Sequence, residues 1–147
     1  MRSEAPPPGG EDLWSATASG DTNALQQALE LCRVIQRRLH DPKHGGWMEH
    51  TERDWTPLKP GDRRNEVGVV GFRSANAHLH WLEALAELYE ASQDAQVRRS
   101  LEEALRINQE CFYPRDAGRS CFLRQPDWKG VTDPKSAGLS YGHNVEF

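Results

Sequence analysis

The chain has 147 residues, room for one domain, and its mean hydropathy of −0.79 predicts a smaller buried core than most domains of this length have. Because 22 acidic residues outnumber 18 basic ones, the chain lacks the basic excess of a general nucleic-acid or anionic-membrane binder. No apolar run approaches the roughly 18 residues of a membrane span, and the first residues include no apolar signal segment. Three cysteines without metal-ligand spacing complete the expectation of a cytoplasmic protein with reduced thiols.

The first predicted element is a helix that follows a polar lead-in. Residues 1–12 are rich in proline and glycine, which predicts a disordered segment before a domain over residues 13–147. Asp21 and Thr22 are typical helix-capping residues, and apolar residues then recur every three or four positions to about His40. Asp41 and Pro42 end that pattern. The sequence therefore predicts one helix with a single buried face.

Two segments without helical periodicity are predicted to form short hairpins. Residues 47–73 alternate weakly between apolar and polar side chains, so we expect one hairpin there, with residues 47–50 paired against residues 53–56. Residues 119–131 are predicted to form the second hairpin. Connections as long as residues 47–73 within a compact domain are usually functional or wrongly assigned.

A pair of helices lies between these two segments. Ser74 is the predicted cap of a helix over residues 75–92, and Asp94 is the predicted cap of a helix over about residues 95–112. Only a tight turn centred on Gln93 separates them, which predicts an antiparallel αα-hairpin. A further helical pattern begins at Leu139. The predicted fold class is all-α with short β-hairpin excursions, and the helix spacing suits a toroid of αα-hairpins.

The helix over residues 75–92 contains the first candidate site residues. Asn76 and His80 are four positions apart, so they lie one turn apart on the same face, away from the leucine stripe. Small residues rather than lysines accompany them, which favours a face directed into a cavity; a plain surface face is the alternative. His78 lies near the apolar stripe and is expected to be a core histidine with satisfied hydrogen bonds.

A second candidate pair lies close to residue 147. His143 and Glu146 are three positions apart and would share one helix face. A carboxylate beside an imidazole stabilises the protonated ring and fixes its tautomer, which suits a general acid/base near neutral pH. Two alternatives stay open: an ordinary capping pair at a helix start, and two ligands of a metal hydrolase, for which no third ligand stands nearby in the sequence.

Tryptophans in the hairpin segments form the third candidate feature. Trp47 and Trp128 lie beside glycine and aspartate residues, a setting in which an indole often stacks on a sugar ring. The alternative is that these rings cover the ends of helices. The sequence predicts substrate contact for both and leaves the covering role open.

Three motifs occur in one order along the chain, namely GWMEHTERDWTPL from Gly46, RSANAHLHWLEALAEL from Arg73 and SYGHNVE from Ser140. This succession resembles the N-acylglucosamine 2-epimerase superfamily, which includes cellobiose 2-epimerases and mannose isomerases. The resemblance covers about residues 24–147. The chain departs from the common family pattern at Ala77, where the family has threonine, and at Asn144, where it has aspartate.

The resemblance implies both a fold and a reaction. The fold would be an (α/α)6 barrel whose inner helices point polar residues into a sugar cavity, and this chain would be a part of it, truncated at both ends. The reaction would be epimerisation, or aldose–ketose isomerisation, at C2 of a mono- or disaccharide through a cis-enediolate. Such a reaction needs no cofactor and no metal, because the carbonyl next to C2 acidifies its proton.

The resemblance also implies roles for particular residues. His143 matches the first of two catalytic histidines, and Glu146 matches the carboxylate that accompanies it. Asn76 and His80 match residues that contact the substrate near C1 and C2. The second catalytic histidine would lie past residue 147, so we expect the isolated chain to be inactive and prone to associate.

The main alternative to an isomerase is a non-catalytic helical module of the same fold that binds a carbohydrate or a protein partner. The motifs are shared by members acting on N-acylglucosamine, mannose and cellobiose, so they do not identify the sugar. A homodimer is a candidate assembly, whereas neither a nucleic acid nor a membrane is expected as a partner.

Overall fold

The computed structural model describes residues 21–58, 69–114 and 120–131. Within these ranges the chain forms helix α1 (Thr22–Arg38), strand β1 (Arg73–Ser74), helix α2 (Ala75–Ser92), helix α3 (Ala95–Ile107), a π-helical turn (Asn108–Phe112) and strand β2 (Leu123–Arg124). The described part is thus mostly helical, as predicted, with a small two-stranded sheet, and it does not by itself show a barrel. None of its helices is both long enough and apolar enough to cross a membrane.

Helix α1 begins where its capping residue predicts. The Asp21 carboxylate accepts hydrogen bonds from the backbone N–H groups of Asn23 and Ala24, at 2.8 and 3.3 Å. The helix ends at Arg38, two residues before the predicted end, because His40 instead forms a β-bridge with Trp47. That bridge turns the chain back towards the helix pair.

Helices α2 and α3 begin at the residues that the sequence predicts. The end of α2 at Ser92 and the tight turn between the two helices also agree with the prediction. Ser74 Oγ accepts from the Ala77 N–H, and Asp94 Oδ1 accepts from the Gln96 and Val97 N–H groups. Gln93 adopts the left-handed conformation (φ 52°) that ends many helices. The Asp94 pKa lies below its usual value, chiefly because the Val97 and Gln96 N–H groups stabilise the carboxylate.

The end of α3 differs in detail from the prediction. The helical path does reach Phe112, but its last five residues form a π-turn, in which the Tyr113 N–H donates to the Asn108 carbonyl at 2.8 Å. Asn108 is fully buried, and its side-chain amide donates to the carbonyls of Ala104 and His78, at 2.9 and 3.1 Å. The turn therefore joins α3 to α2 through a buried polar side chain.

The predicted pairing of residues 47–50 with 53–56 is wrong. The segment instead closes a turn over residues 52–56, with a bridge between Thr51 and Pro57 and a bond from the Leu58 N–H to the His50 carbonyl. The second predicted hairpin does form a turn, since Arg124 bridges Gly130. Its strand β2, however, pairs with β1, with Arg73 opposite Arg124. This antiparallel pairing lies directly before α2 and fixes its start.

The core lies between the three helices and is closed by an aromatic ring cluster. Small and branched apolar side chains from each helix meet there, namely Ala28, Leu29, Cys32, Leu85, Leu88, Val97, Ala104 and Ile107. Phe112 adds a large ring from the end of the α3 path, and Trp47 adds one from outside the helices. Because Trp47 comes from a separate segment, the core is complete only when that segment is in place.

Replacing Leu85 by alanine tests the helix-pair core. Leu85 is fully buried, so Leu85→Ala should lower the free energy of unfolding by about 3 kcal/mol, through lost apolar burial and a residual cavity. Leu105 on α3 is 42% exposed and is the matched control, for which Leu105→Ala should cost under about 1 kcal/mol. Urea denaturation measures both, and equal losses in the two variants would contradict this core.

Candidate functional site

Asn76 and His80 lie on one face of α2, close to its N-terminus. Asn76 is half-buried in the first turn, whereas the His80 side chain is 55% exposed one turn later. The opposite face carries Leu79, Leu85 and Leu88 into the core. The spacing argument for a shared polar face is therefore confirmed, while contact of that face with a sugar stays a prediction.

His80 has a carboxylate partner that the sequence analysis did not single out. Its Nδ1 lies 2.8 Å from Glu83 Oε2, and both side chains are about half exposed. A carboxylate accepts only, so Nδ1 carries the proton and the ring orientation is fixed. The signal was present in the sequence, because His80 and Glu83 have the same three-residue spacing as His143 and Glu146.

His78 is a core histidine, as expected. It is 2% exposed, and its Nδ1–H donates to the Ser74 carbonyl at 3.0 Å, with Glu49 Oε1 3.4 Å away. The Trp47 N–H approaches Nε2 at 3.5 Å, so Nε2 is the acceptor of the ring. His78 thus links the start of α2 to the segment that follows the Gly45–Gly46 turn.

Glu49 holds the start of α2 from outside the helix. Its carboxylate accepts hydrogen bonds from both the N–H and the hydroxyl of Ser74, the latter at 2.7 Å. The side chain is only 9% exposed. A buried carboxylate is stabilised at a helix N-terminus, where unpaired N–H groups and the helix dipole present positive charge. Glu49 therefore orders the turn that carries Asn76.

The Gly45–Gly46 turn lies against both α3 and the residue before Ser74. The Gly46 N–H donates to Glu103 Oε1 at 2.9 Å, and His40 Nε2 lies 3.0 Å from both oxygens of Glu103. On the other side, Asp41 Oδ2 accepts from Arg73 at 2.6 Å. Burial acts to raise the pKa of Asp41, but the donors of Lys43 and His44 and the Arg73 charge together lower it.

Trp47 occupies the core. It is 4% exposed, and its indole N–H donates to Gln36 Oε1 at 3.1 Å. Its ring meets His40 and Trp81 edge-on, with centroids 5.6 and 5.9 Å away. A stacking wall needs an accessible ring face, so this location corrects the sequence interpretation in favour of the alternative that Trp47 covers helices.

Trp128 is also engaged within the chain. Its indole N–H donates to the His44 carbonyl at 2.7 Å, and the Arg73 guanidinium lies 4.3 Å from the ring centroid. The ring packs edge-on against His78 and Phe112. These contacts give Trp128 a structural role at the start of α2, and its stacking on a sugar stays a prediction.

His143 and Glu146 lie outside the described residues, as do residues 1–12 and the helical pattern from Leu139. Two cavities of about 190 Å³ flank Glu49, one beside Arg73 and one beside Trp81. Neither of the two is lined by Asn76 or His80. Among residues 21–58, 69–114 and 120–131, no group of three or more His, Cys, Asp or Glu side chains could hold a metal ion.

Two of the described thiols, those of Cys32 and Cys111, are not arranged for nucleophilic chemistry. Burial, reinforced by the charge of Asp94, raises the pKa of the Cys32 thiol to about 11, and burial also raises the pKa of Cys111. Near neutral pH both are therefore protonated, whereas nucleophilic cysteines act as thiolates. The polar groups that remain suited to chemistry on this helix pair are amide, imidazole and carboxylate side chains.

Comparison with known proteins places these features in a family. The sequence profile of N-acylglucosamine 2-epimerase (GlcNAc 2-epimerase) matches residues 13–147. A cellobiose 2-epimerase from Bacteroides fragilis is 29% identical over 129 residues, which are 88% of this chain and 32% of that protein. The chain thus spans about a third of the length of the curated relatives it matches.

Solved structures show the same relationship. The cellobiose 2-epimerase of Spirochaeta thermophila superposes with a TM-score of 0.75 at 28% identity, covering 91% of this chain and 32% of that one. A D-mannose isomerase superposes with a TM-score of 0.70 at 14% identity, covering 93% of this chain and 32% of that one, which shows a shared fold. The described helices therefore have the arrangement found in one part of these larger proteins.

Replacing Glu49 by glutamine tests its hold on α2. Glutamine keeps one acceptor oxygen but turns a donor towards Ser74, so Glu49→Gln should lower the free energy of unfolding by about 2 kcal/mol. Glu90 is exposed on the same helix, and Glu90→Gln is the matched control, with an expected change under about 0.5 kcal/mol. Chemical denaturation distinguishes them, and a Glu49→Gln variant as stable as the control would exclude this role.

Proposed function

The chain belongs to the N-acylglucosamine 2-epimerase family, and we propose on this basis that the protein rearranges a mono- or disaccharide at C2. The observation that carries the proposal is the family match over residues 13–147, which includes all three motifs. The polar face formed by Asn76 and His80 supports it, because an amide and an imidazole next to each other suit a sugar's hydroxyl groups. Cellobiose, mannose and N-acylglucosamine are the candidate substrates.

The proposed architecture is an (α/α)6 barrel of which α1, α2 and α3 form a part. The antiparallel pairing of α2 with α3 supports this arrangement, since αα-hairpins are the repeating unit of such a toroid. In this architecture α2 is an inner helix, and its first turns face the sugar cavity. That assignment accounts for an imidazole and an amide on the one face of α2 that the core does not cover.

The proposed chemistry is proton transfer at C2 of the ring-opened sugar. His143, oriented by Glu146, accepts the C2 proton while the electron pair of the C2–H bond forms the C1=C2 bond of a cis-enediolate. Negative charge collects on the former carbonyl oxygen. A proton delivered to the other face of C2 by a second acid, a role that the family resemblance gives to another histidine, produces the epimer. A proton delivered to C1, together with transfer of the C2 hydroxyl proton to the C1 oxygen, produces the ketose. Electrons balance within the sugar, so no oxidant or reductant takes part.

Asn76 and His80 are proposed to stabilise the enediolate. The Asn76 amide N–H can donate to the oxygens on C1 and C2, where charge develops, and the His80 ring donates through Nε2–H in its protonated form, since its Nδ1–H is directed at Glu83. Glu83 holds the His80 ring through Nδ1, 2.8 Å from its carboxylate. A donor fixed before the reaction stabilises the developing charge without reorganisation, which is the general basis of oxyanion stabilisation.

Replacing His143 by alanine tests the proton transfer. In deuterium oxide, the longest natural form of the protein should place deuterium at C2 of mannose, cellobiose or N-acetylglucosamine. His143→Ala should slow that exchange at least about 100-fold, the contribution of a general acid/base, while sugar binding is retained. Arg98→Ala, at an exposed position of α3, should exchange at the wild-type rate.

The outcomes separate the two functional classes. Exchange retained by the His143→Ala variant would remove His143 from the catalytic role. A wild-type protein that binds a sugar but exchanges no C2 hydrogen with any of the three sugars would favour the non-catalytic binding module.

Replacing Asn76 by alanine tests the proposed donor. Asn76→Ala should lower kcat and kcat/KM together by about 100-fold, because the lost bond acts on the enediolate rather than on the ground-state sugar. Asn23 is a matched control, since it is likewise the second residue of a helix but is exposed on α1. Steady-state kinetics that show the same rates for Asn76→Ala and Asn23→Ala would contradict this role.

A further inference from the structure

We propose that Arg73 is a positioning residue, which holds the first turn of α2 in the orientation that presents Asn76 and His80. It acts from the position directly before the helix cap Ser74, through contacts with residues other than Asn76 and His80. The presentation of Asn76 and His80 to a sugar rests on the proposed function, whereas the ordering of the turn does not.

The Arg73 guanidinium is held on three sides. It donates to Asp41 Oδ2 at 2.6 Å and to the Gly45 carbonyl, and it lies over the Trp128 ring at 4.3 Å from the centroid. The side chain is 3% exposed. Burial lowers the pKa of Arg73, and the Asp41 carboxylate opposes that shift. A buried charge of this kind is tolerated only with its partners in place.

The fit to the Gly45–Gly46 turn is too close for another side chain. Both glycines have left-handed backbone angles, φ 74° and 72°. A Cβ atom at Gly46 would lie 2.6 Å from Arg73 Nη1 and 2.6 Å from the Trp128 ring. The guanidinium therefore contacts the turn directly. The position of the turn limits where Arg73 can lie, and it thereby limits where α2 can begin.

The turn is itself anchored to a different helix. Glu103 on α3 accepts from the Gly46 N–H at 2.9 Å. On the far side of Arg73, β1 pairs with β2, and the Ala75 N–H donates to the Phe122 carbonyl at 2.8 Å. Arg73 thus joins three segments that are distant in sequence at the point where α2 begins. Loss of its contacts would release the orientation of the first turn, so that the hydrogen bonds around Ser74 open more often.

Lysine at position 73 separates a positioning role from a simple requirement for positive charge. A guanidinium donates to two acceptors at once and stacks on an aromatic face, whereas an ammonium group is a point charge. Arg73→Lys should therefore increase the exchange rates of the Ser74, Ala75 and Ala77 amide hydrogens about tenfold, a local opening of the first turn. The Gln96 and Val97 amides at the start of α3 should be unchanged. Arg98→Lys, at an exposed arginine paired with Glu102, is the matched control and should alter neither set.

Kinetics on the longest natural form of the protein provide the functional measurement. Arg73→Lys should lower kcat about tenfold with KM changed less than twofold, because the donors are misplaced for the transition state while ground-state contacts persist. Equal amide exchange in Arg73→Lys and wild-type protein would overturn the proposal. So would faster exchange throughout α2 and α3 with an unchanged kcat, since that is the behaviour of a residue that only stabilises the fold.

A second variant keeps the proposal testable if Arg73→Lys does not fold. Asp41→Asn retains the arginine and removes its charged partner, and it should increase exchange of the same three amides by a smaller factor, about threefold. Unchanged exchange in Asp41→Asn would overturn the proposal. A wild-type protein without C2 exchange would refute the proposed function alone, because the amide measurements require no sugar.

Discussion

The start of helix α2 depends on two buried charged side chains, Glu49 and Arg73, which neither belong to the helix nor lie near each other in the sequence. Glu49 accepts hydrogen bonds from the N–H and the hydroxyl of Ser74. Arg73, the residue before Ser74, donates to the Gly45 carbonyl in the Gly45–Gly46 turn. Burying either charge alone would be costly, so each is stable only with its partners in place. The first turn of α2 is therefore ordered by tertiary contacts rather than by helix propensity.

Local signals were enough to place the helices. Ser74 and Asp94 are capping residues whose side chains accept from N–H groups two or three positions ahead, so α2 and α3 begin where the sequence predicts. Pairing between distant segments left no such signal. The pairing of β1 with β2 joins two distant segments, and it was not predicted. The turn over residues 52–56, whose register was predicted wrongly, and the π-turn that ends at Phe112, which was not predicted, are closed by local hydrogen bonds that the residue types alone do not reveal.

The candidate site likewise contains some residues whose location the sequence predicted and others whose location it did not. Helical spacing correctly put Asn76 and His80 on one face and His78 in the core, because a period of 3.6 residues fixes which side chains share a face. Trp47 could not be assigned from its neighbours, since its burial depends on His40 and Trp81, which reach it only in the folded chain. The positioning contacts of Arg73 were likewise invisible in a sequence where Asp41 stands 32 residues away.

In the proposed reaction, His143 and the polar face of α2 act on the same sugar. The most direct measurement is a crystal structure of the longest natural form of the protein with a bound open-chain sugar alcohol, which resembles the ring-opened substrate but cannot react. His143, Asn76 and His80 should all lie within about 3.2 Å of the oxygens or carbons at positions 1 and 2 of that ligand. A structure in which the His143 side chain points away from Asn76 and His80 would rule this arrangement out.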